Sequence, residues 1–380
     1  MIPKIKDFDF LDVRVGTFNF RNLKHIDWVL AGLVLTLAAI GFAVLLSASR
    51  SVSAPTPYYV KQMLFFIVGV GLAVAILCTD SRFLVSVAPV MYGGAVILLA
   101  SVIVFGVSVK GGQRWLPAGP IHLQPSEQTK LIVVYMLAWY LTLVKDRIQK
   151  FPYVLLAFAI TGLPAVLILR QPSLGTAMAL IPVTFVMLYV AGCKGWHLVA
   201  VVLAGLAVTP IAYQKLEDYQ KHRLLSFVNP EADPKGNGWQ TRQSKITVGS
   251  GGLSGKGFNQ GTQTMLNYLP EHHTDFIFSL LAEEEGFMGA LAVTGLFAAL
   301  LLRGLRFALK CSDLSGALLA AGAVTILAFH VFVNIAITVG LMPVTGIPLP
   351  FLSYGGNFYM TTMMCVGVLL NVPVRKQLFD

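Results

Sequence analysis

What most constrains this chain is a succession of long apolar runs divided by polar connections. They fall at about 28–49, 63–78, 83–105, 130–144, 153–169, 174–191, 197–213, 276–302, 316–341 and 351–372. A helix needs roughly 20 apolar residues to cross the hydrocarbon core of a bilayer, and a spanning segment must satisfy its own backbone there. The chain therefore reads as an all-α polytopic membrane protein of about ten transmembrane helices. Composition agrees, with 56% apolar and only 12% charged residues, far from the balance of soluble domains. One integral membrane domain over residues 1–380 is the economical reading, with a single long connection at 214–274 between the seventh and eighth helices.

Lys and Arg accumulate in short cytoplasmic loops. With the N-terminus inside, the inner segments hold Lys4, Lys6, Arg14, Arg21, Lys24, Arg82, Lys145, Arg147, Lys150, Lys194, Arg303, Arg306, Lys310, Arg375 and Lys376. The short outer loops hold only Arg50, Lys61, Lys110, Arg114 and Arg170. Both termini are thus expected inside and segment 214–274 outside. This asymmetry, with attraction to anionic headgroups, accounts for most of the net charge of +10 without invoking nucleic acid. Cys78, Cys193 and Cys311 fall near inner helix ends and Cys365 within the last run, so no external disulfide is expected. Nothing before the first run reads as a removable signal peptide, and no internal repeat is evident.

Ionisable and helix-breaking residues at membrane depth mark function more often than packing does. Four clusters stand out. In KGGQRWLPAGPIHLQPSEQTK (110–130), Pro125 suits a first helical turn, and Glu127 and Lys130, three apart, share a helix face and can pair. The pair is either structural, or Lys130 with Arg114 faces an anionic phosphate of the outer leaflet. In RQPSLGTA (170–177), Pro172 and Gly175 break an apolar span, as a tight hairpin would, with Arg170 near the headgroups. The long outer segment carries GSGGLSGKG, which reads either as a turn-rich loop or as an anion cradle beside Lys256. It is not a Walker loop, because Ser250 and Gly257 stand where Gly and Ser/Thr are required.

The fourth cluster is LPEHHTDFIFSLLAEEEG (269–286). Glu283, Glu284 and Glu285 lie inside the eighth run and cannot all share one partner, so some are expected to line a polar interior or pair with basic residues of neighbouring helices. Asp275 has three readings: a helix cap, a metal ligand with Glu271, His272 and His273, or a general base at the outer mouth of a membrane groove. A carboxylate at the bilayer surface, basic residues on the same side and broken helices suit a substrate with a lipid tail, a phosphate linker and a polar head. A soluble solute would more naturally be held near the midplane.

These motifs also carry a resemblance. KGGQRWL with QPSEQTK, QPSLGTA, NPEADPKGNGW with QSKITVGSGGLSGKG, LPEHHTDFIF with LAEEEG, and GIPLPFLSYGG follow one another along nearly the whole chain, which resembles the SEDS family of bacterial peptidoglycan polymerases. GSGGLSGKG and PEADP are more similar to its RodA branch, which serves cell elongation and shape, than to the division paralogue FtsW. The resemblance implies a glycosyltransferase of the bacterial cytoplasmic (inner) membrane that polymerises lipid II on its outer face. The growing glycan would be donor and the 4-hydroxyl of incoming lipid II acceptor. It implies Asp275 as the catalytic residue, Glu127 and Lys130 as important for the cavity, and a divalent cation, Mg or Mn. Implied partners are a class B penicillin-binding protein that cross-links the strands, and other membrane proteins of the elongation machinery.

Substrate-binding candidates are Arg114, Glu127, Lys130, Arg223, Lys256, Glu271, His273, Thr274, Ser353 and Tyr354; no residue is assigned to a metal. The chain departs from the family pattern at Ser173, where an Asp is common, at Glu285, and at Asn357 with Phe358 after SYGG. Two rivals compete with the polymerase reading. A lipid II flippase would need polar residues toward the inner leaflet, for which His330 and Asn334 are the main candidates. A scaffold of the wall machinery would need no particular carboxylate.

Overall fold

The computed structural model describes residues 26–376 except 51–55, 110–111, 119–120, 215–217, 230–232, 234–235 and 267. The basic N-terminal residues, the reading that no leader is removed there, Lys110 and most of PEADP lie outside the described residues. Apolar helices follow one another as expected: α1 (Trp28–Ala48), α2 (Tyr58–Cys78), a short α3 (Ser81–Ser86) and α4 (Ala88–Phe105), with the break between α3 and α4 just before Pro89. Next come three short strands, β1 (Val107–Val109), β2 (Gly112–Ala118) and β3 (Ile121–Leu123), in an antiparallel sheet of order β1-β2-β3. They occupy what sequence reading treated as plain loop; three-residue strands are too short to show a period of two.

Then follow α5 (Pro125–Leu143), α6 (Phe151–Arg170), α7 (Leu174–Val190) and α8 (Gly195–Gln214). The described residues of the long connection include three helices, α9 (Asp218–Val228), α10 (Asn237–Ser250) and α11 (Thr262–Met265). The last three helices are α12 (Ile277–Lys310), α13 (Leu314–Thr338) and α14 (Gly356–Lys376). Among the described residues seven helices, α1, α2, α4, α6, α12, α13 and α14, are long and apolar enough to cross a membrane, and α7 and α8 are shorter apolar helices. α5 sits where a further crossing is expected, but it opens on the polar PSEQTK, which lowers its hydropathy.

The bundle is built around α13. It and α14 bury 78% of their apolar windows, against 22% for α2 and α4, so the former lie inside and the latter face lipid. Small residues explain this placement, because they let helices approach closely where lipid supplies no hydrophobic drive between them. Gly322 of α13 lies against Val134 and Met187, and Gly367 of α14 against the backbone of Ala73 in α2. The outward surfaces carry Leu35, Ile67, Ile97, Val104, Leu163 and Leu206, all exposed.

α12 is two helices joined at Gly286, whose φ of 69° and ψ of −167° no helix contains. An unbroken helix through the eighth run would carry its glutamates inward from the helix start. The kink ends that reckoning. At 1.5 Å per residue the segment 287–310 is itself about 36 Å long, enough to span the hydrocarbon, so the glutamates before the kink need not be submerged.

Candidate active site

The HTDF segment is a turn leading into α12. Glu271 takes the left-handed φ of 54°, and its carbonyl accepts from the N–H groups of Thr274 (3.1 Å), Asp275 (3.2 Å) and Phe276 (3.4 Å). The Thr274 hydroxyl donates to the Glu271 carbonyl (3.2 Å) and lies 3.3 Å from its carboxylate. The cap position of α12 is Phe276, with no side-chain capping bond, so Asp275 does not occupy the place that the capping reading gave it. Its carbonyl accepts from Asn334 Nδ2 at 2.9 Å. Its half-buried carboxylate lies over Gly346, where an added Cβ would sit 3.5 Å from Oδ2. Gly346 also has φ +71°, a conformation that suits glycine.

The neighbouring histidines diverge. His272 is buried and its Nδ1 faces the Leu269 carbonyl at 2.9 Å, which makes Nδ1 the protonated nitrogen. His273 stacks on Tyr58, with centroids 4.1 Å apart and planes 7° from parallel, and its Nε2 is 3.8 Å from Glu271. Among the described residues no three His, Cys, Asp or Glu side chains come together as a metal site would require. The metal-cluster reading of HHTD therefore fails on geometry.

Residues 346–355, which hold the substrate-binding candidates Ser353 and Tyr354, brace the Asp275 turn. Ser353, fully buried, donates from Oγ to the Thr274 carbonyl (2.6 Å) and accepts from the Leu349 N–H (2.8 Å). The Tyr354 N–H donates to the His273 carbonyl at 2.9 Å. Burial, with Tyr58 alongside, pushes the Tyr354 phenol above its ordinary range, so it stays protonated. Gln62 of α2, fully buried, donates to the Ser353 carbonyl at 3.2 Å. Sequence reading began the second span at 63 and passed over this residue; a lone amide at the end of an apolar run is the signal that could have found it.

Glu127 and Lys130 form the ion pair their spacing predicts, at 2.8 Å, with Lys130 0% exposed. Lys130 Nζ is also 2.8 Å from His330 Nε2 and 5.4 Å from the Phe358 ring centroid. On the other side Glu127 accepts from Thr176 (3.3 Å), which in turn accepts from Ser173 (2.9 Å). Ser173, one of the departures, thus joins this chain through a neutral hydroxyl. Arg114 donates from Nε to the Gln171 carbonyl at 3.1 Å and from Nη2 to that of Pro172, stapling the sheet to the α6–α7 hairpin. The expectation that Lys130 and Arg114 face a headgroup phosphate does not match this conformation, in which the first is sealed inside the bundle and the second is bonded to backbone.

GSGGLSGKG is likewise not an anion cradle. Two of its N–H groups go to the kinked helix, Lys256 N–H to the Glu283 carbonyl (3.0 Å) and Gly257 N–H to that of Glu284 (2.9 Å), and those of Gly251, Gly252 and Gly255 bond to carbonyls of Val248, Gly249 and Gly251. Phe287 and Met288 donate back to the carbonyls of Gly252 and Leu253. The approach is so close that a Cβ on Gly255 would fall 2.0 Å from the Glu284 carbonyl oxygen. Lys256 Nζ reaches Glu283 (2.7 Å), Ser250 (2.9 Å) and Thr262 (2.8 Å). Glu284 accepts from Ser47 of α1, and Glu285 is exposed. The expectation that these carboxylates part ways holds for all three. Arg223 lies on α9, half-buried, in the long 214–274 connection.

The arrangement sets one carboxylate in a braced turn and a buried cation in the adjoining bundle, the two linked through α13 and residues 346–350. Comparison with known proteins adds the following. The FTSW_RODA_SPOVE family model, described as cell cycle protein, matches residues 27–378. The chain is 36% identical over 371 residues to the probable peptidoglycan glycosyltransferase FtsW of Trichlorobacter lovleyi, covering 94% of this chain and 95% of that one. It is 38% identical over 296 residues to the peptidoglycan glycosyltransferase MrdB of Escherichia coli K12, covering 77% and 79%. A solved structure described as "Structural coordination of polymerization and crosslinking by a peptidoglycan synthase complex" superposes with a TM-score of 0.79 at 33% identity, covering 92% of this chain and 98% of the other. The relatives divide between FtsW and MrdB, so the comparisons do not choose the RodA branch over FtsW.

Proposed function

The chain belongs to the FtsW/RodA/SpoVE family and is a multi-pass membrane peptidoglycan glycosyltransferase, and from that premise we propose that it polymerises lipid II with Asp275 as general base. The Asp275 carboxylate takes the proton of the acceptor 4-hydroxyl as its oxygen attacks the anomeric carbon of the donor glycan. The bond from that carbon to the pyrophosphate oxygen breaks, and undecaprenyl pyrophosphate leaves with the electron pair, inverting the anomeric centre. The observation that carries this reading is the placement of Asp275 outside the cap position, over the side-chain-free Gly346, in a turn whose backbone is braced by α13 and by residues 353–354. A base must be held within reach of its proton before its basicity matters.

In this reading the protein crosses the cytoplasmic membrane ten times, α5, α7 and α8 included, with both termini inside and segment 214–274 outside. It serves elongation and shape in the manner of RodA, with a class B penicillin-binding protein as cross-linking partner and other elongation proteins alongside. The described residues offer no three-ligand metal group, so a divalent cation would arrive with the substrate pyrophosphate, and no step is assigned to it. Lys130 acts from inside the bundle, as a fixed charge rather than a phosphate contact; Arg223, in the outer segment, is a candidate phosphate contact.

The test is polymerisation by the purified protein, with and without its transpeptidase partner, given lipid II and a divalent cation. Glycan ladders from the native chain and none from a folded Asp275→Asn variant are expected. Equal ladders from both would remove Asp275 from the mechanism.

A further inference from the structure

His330 and Asn334 are the polar residues of α13 at membrane depth that composition alone leaves unexplained, and they are 2% and 0% exposed. Buried polar groups are costly unless paired. Four apart, they lie on one face of α13, and the partners of both belong to the site. Asn334 Nδ2 donates to the carbonyls of Asp275 (2.9 Å) and Ile347 (2.8 Å). Both partners are acceptors only, so the amide must present its NH₂ to them. His330 Nε2 lies 2.8 Å from Lys130 Nζ. An ammonium only donates, so Nε2 accepts, and the ring proton sits on Nδ1, which faces the Pro348 carbonyl at 3.4 Å. A doubly protonated ring would have no lone pair for Lys130. Phe358, 4.6 Å from the imidazole by ring centroids, closes the remaining side.

Two residues one turn apart thus hold two consecutive carbonyls, Ile347 and Pro348, and each also reaches a different part of the site. Between Pro348 and Pro350 the backbone has little freedom, so fixing those carbonyls fixes the segment from Gly346 onward, against which the Asp275 carboxylate lies.

We propose that His330 and Asn334 are positioning residues for glycosyl transfer: acting through residues 346–350, they hold the Asp275 turn and the Lys130 ammonium in a fixed relation. The proposal rests on the reading of Asp275 as base. It gives His330 and Asn334 a different task from the polar pathway that a flippase would need, because their bonds run to the site's own backbone and to Lys130.

The experiment uses the full-length chain in lipid nanodiscs, with lipid II and a divalent cation, reading initial rates against lipid II concentration and the melting temperature of each variant. His330→Ala and Asn334→Ala are expected to fold and to lower kcat by about 10- to 100-fold, the scale of a misplacement of about 1 Å, with KM changed less than about twofold. His330→Gln, whose amide can accept from Lys130 and donate to a carbonyl, recovers most of the rate. The double variant loses less than the product of the single losses, because both act on one segment. Folded alanine variants with native kcat overturn the proposal, as do losses that follow melting temperature and are not rescued by glutamine. Asp275→Asn is run beside them: if inactive while both alanine variants are fully active, the positioning proposal alone falls; if active, the base assignment falls and takes the proposal with it.

Discussion

Two Lys–Glu pairs of nearly equal length hold different parts of the molecule. Glu127 and Lys130, 2.8 Å apart, share one face of α5, and the lysine is wholly buried. Lys256 and Glu283, 2.7 Å apart, join a loop to a kinked helix, and the lysine side chain keeps 26% of its surface. The first adds a neutral imidazole and a hydroxyl chain leading to the α6–α7 hairpin. The second is ringed by Ser250, Thr262 and the Gln263 N–H, all within the outer segment. One pair fixes a charge inside the bundle, and the other latches the long 214–274 connection onto α12. Distance alone would have ranked them together; burial and the identity of the further partners separate them.

Breaking the inner pair has the largest expected effect. Glu127→Gln leaves the Lys130 ammonium buried without a counter-ion, which costs about 3 to 5 kcal/mol; thermal melting in detergent is expected to fall sharply and glycan synthesis to be lost. Gly255→Val comes next, since φ is +78° and the added carbon would enter the Glu284 carbonyl. It should free the glycine loop, read as faster limited proteolysis between α10 and α12, and lower activity without abolishing membrane insertion. Lys256→Ala, which removes bonds to Glu283, Ser250 and Thr262 at a site that water can reach from the lysine side, is expected to cost about 1.5 to 3 kcal/mol, the range for a hydrogen bond to a charged group. It should raise proteolysis in the same region and leave most polymerisation intact; a loss equal to that of Glu127→Gln would erase the distinction. Smallest is Glu285→Ala, at an exposed carboxylate, expected within about 0.5 kcal/mol of the parent by melting.

The contrast also shows what spacing can convey. Glu127 and Lys130 are legible because three residues on a helix bring side chains to one face. Lys256 and Glu283 are 27 residues apart, and nothing local announces their meeting. The glycines of GSGGLSGKG signalled close backbone approach, but not that the approaching backbone would be α12 rather than an anion. Gly286, at the end of three glutamates, reads as an ordinary helical glycine until its φ is known. Ser353 and Tyr354 are legible only as substrate-binding candidates; that they meet the Asp275 turn, through bonds to the Thr274 and His273 carbonyls, is decided by the fold.

The sequence by itself determined that the chain is a polytopic helical membrane protein and which polar motifs interrupt its apolar runs, because hydrocarbon tolerates few polar residues and each exception is visible against an apolar background. Only the tertiary structure decided which exceptions meet. His330 lies 200 residues from Lys130 and Ser47 lies 237 from Glu284, and such pairings follow from how small residues let helices pack, which no local periodicity records. Asp275 was conspicuous from the start; that it stands clear of the cap position, over a glycine and on a turn held by α13, is a consequence of packing alone.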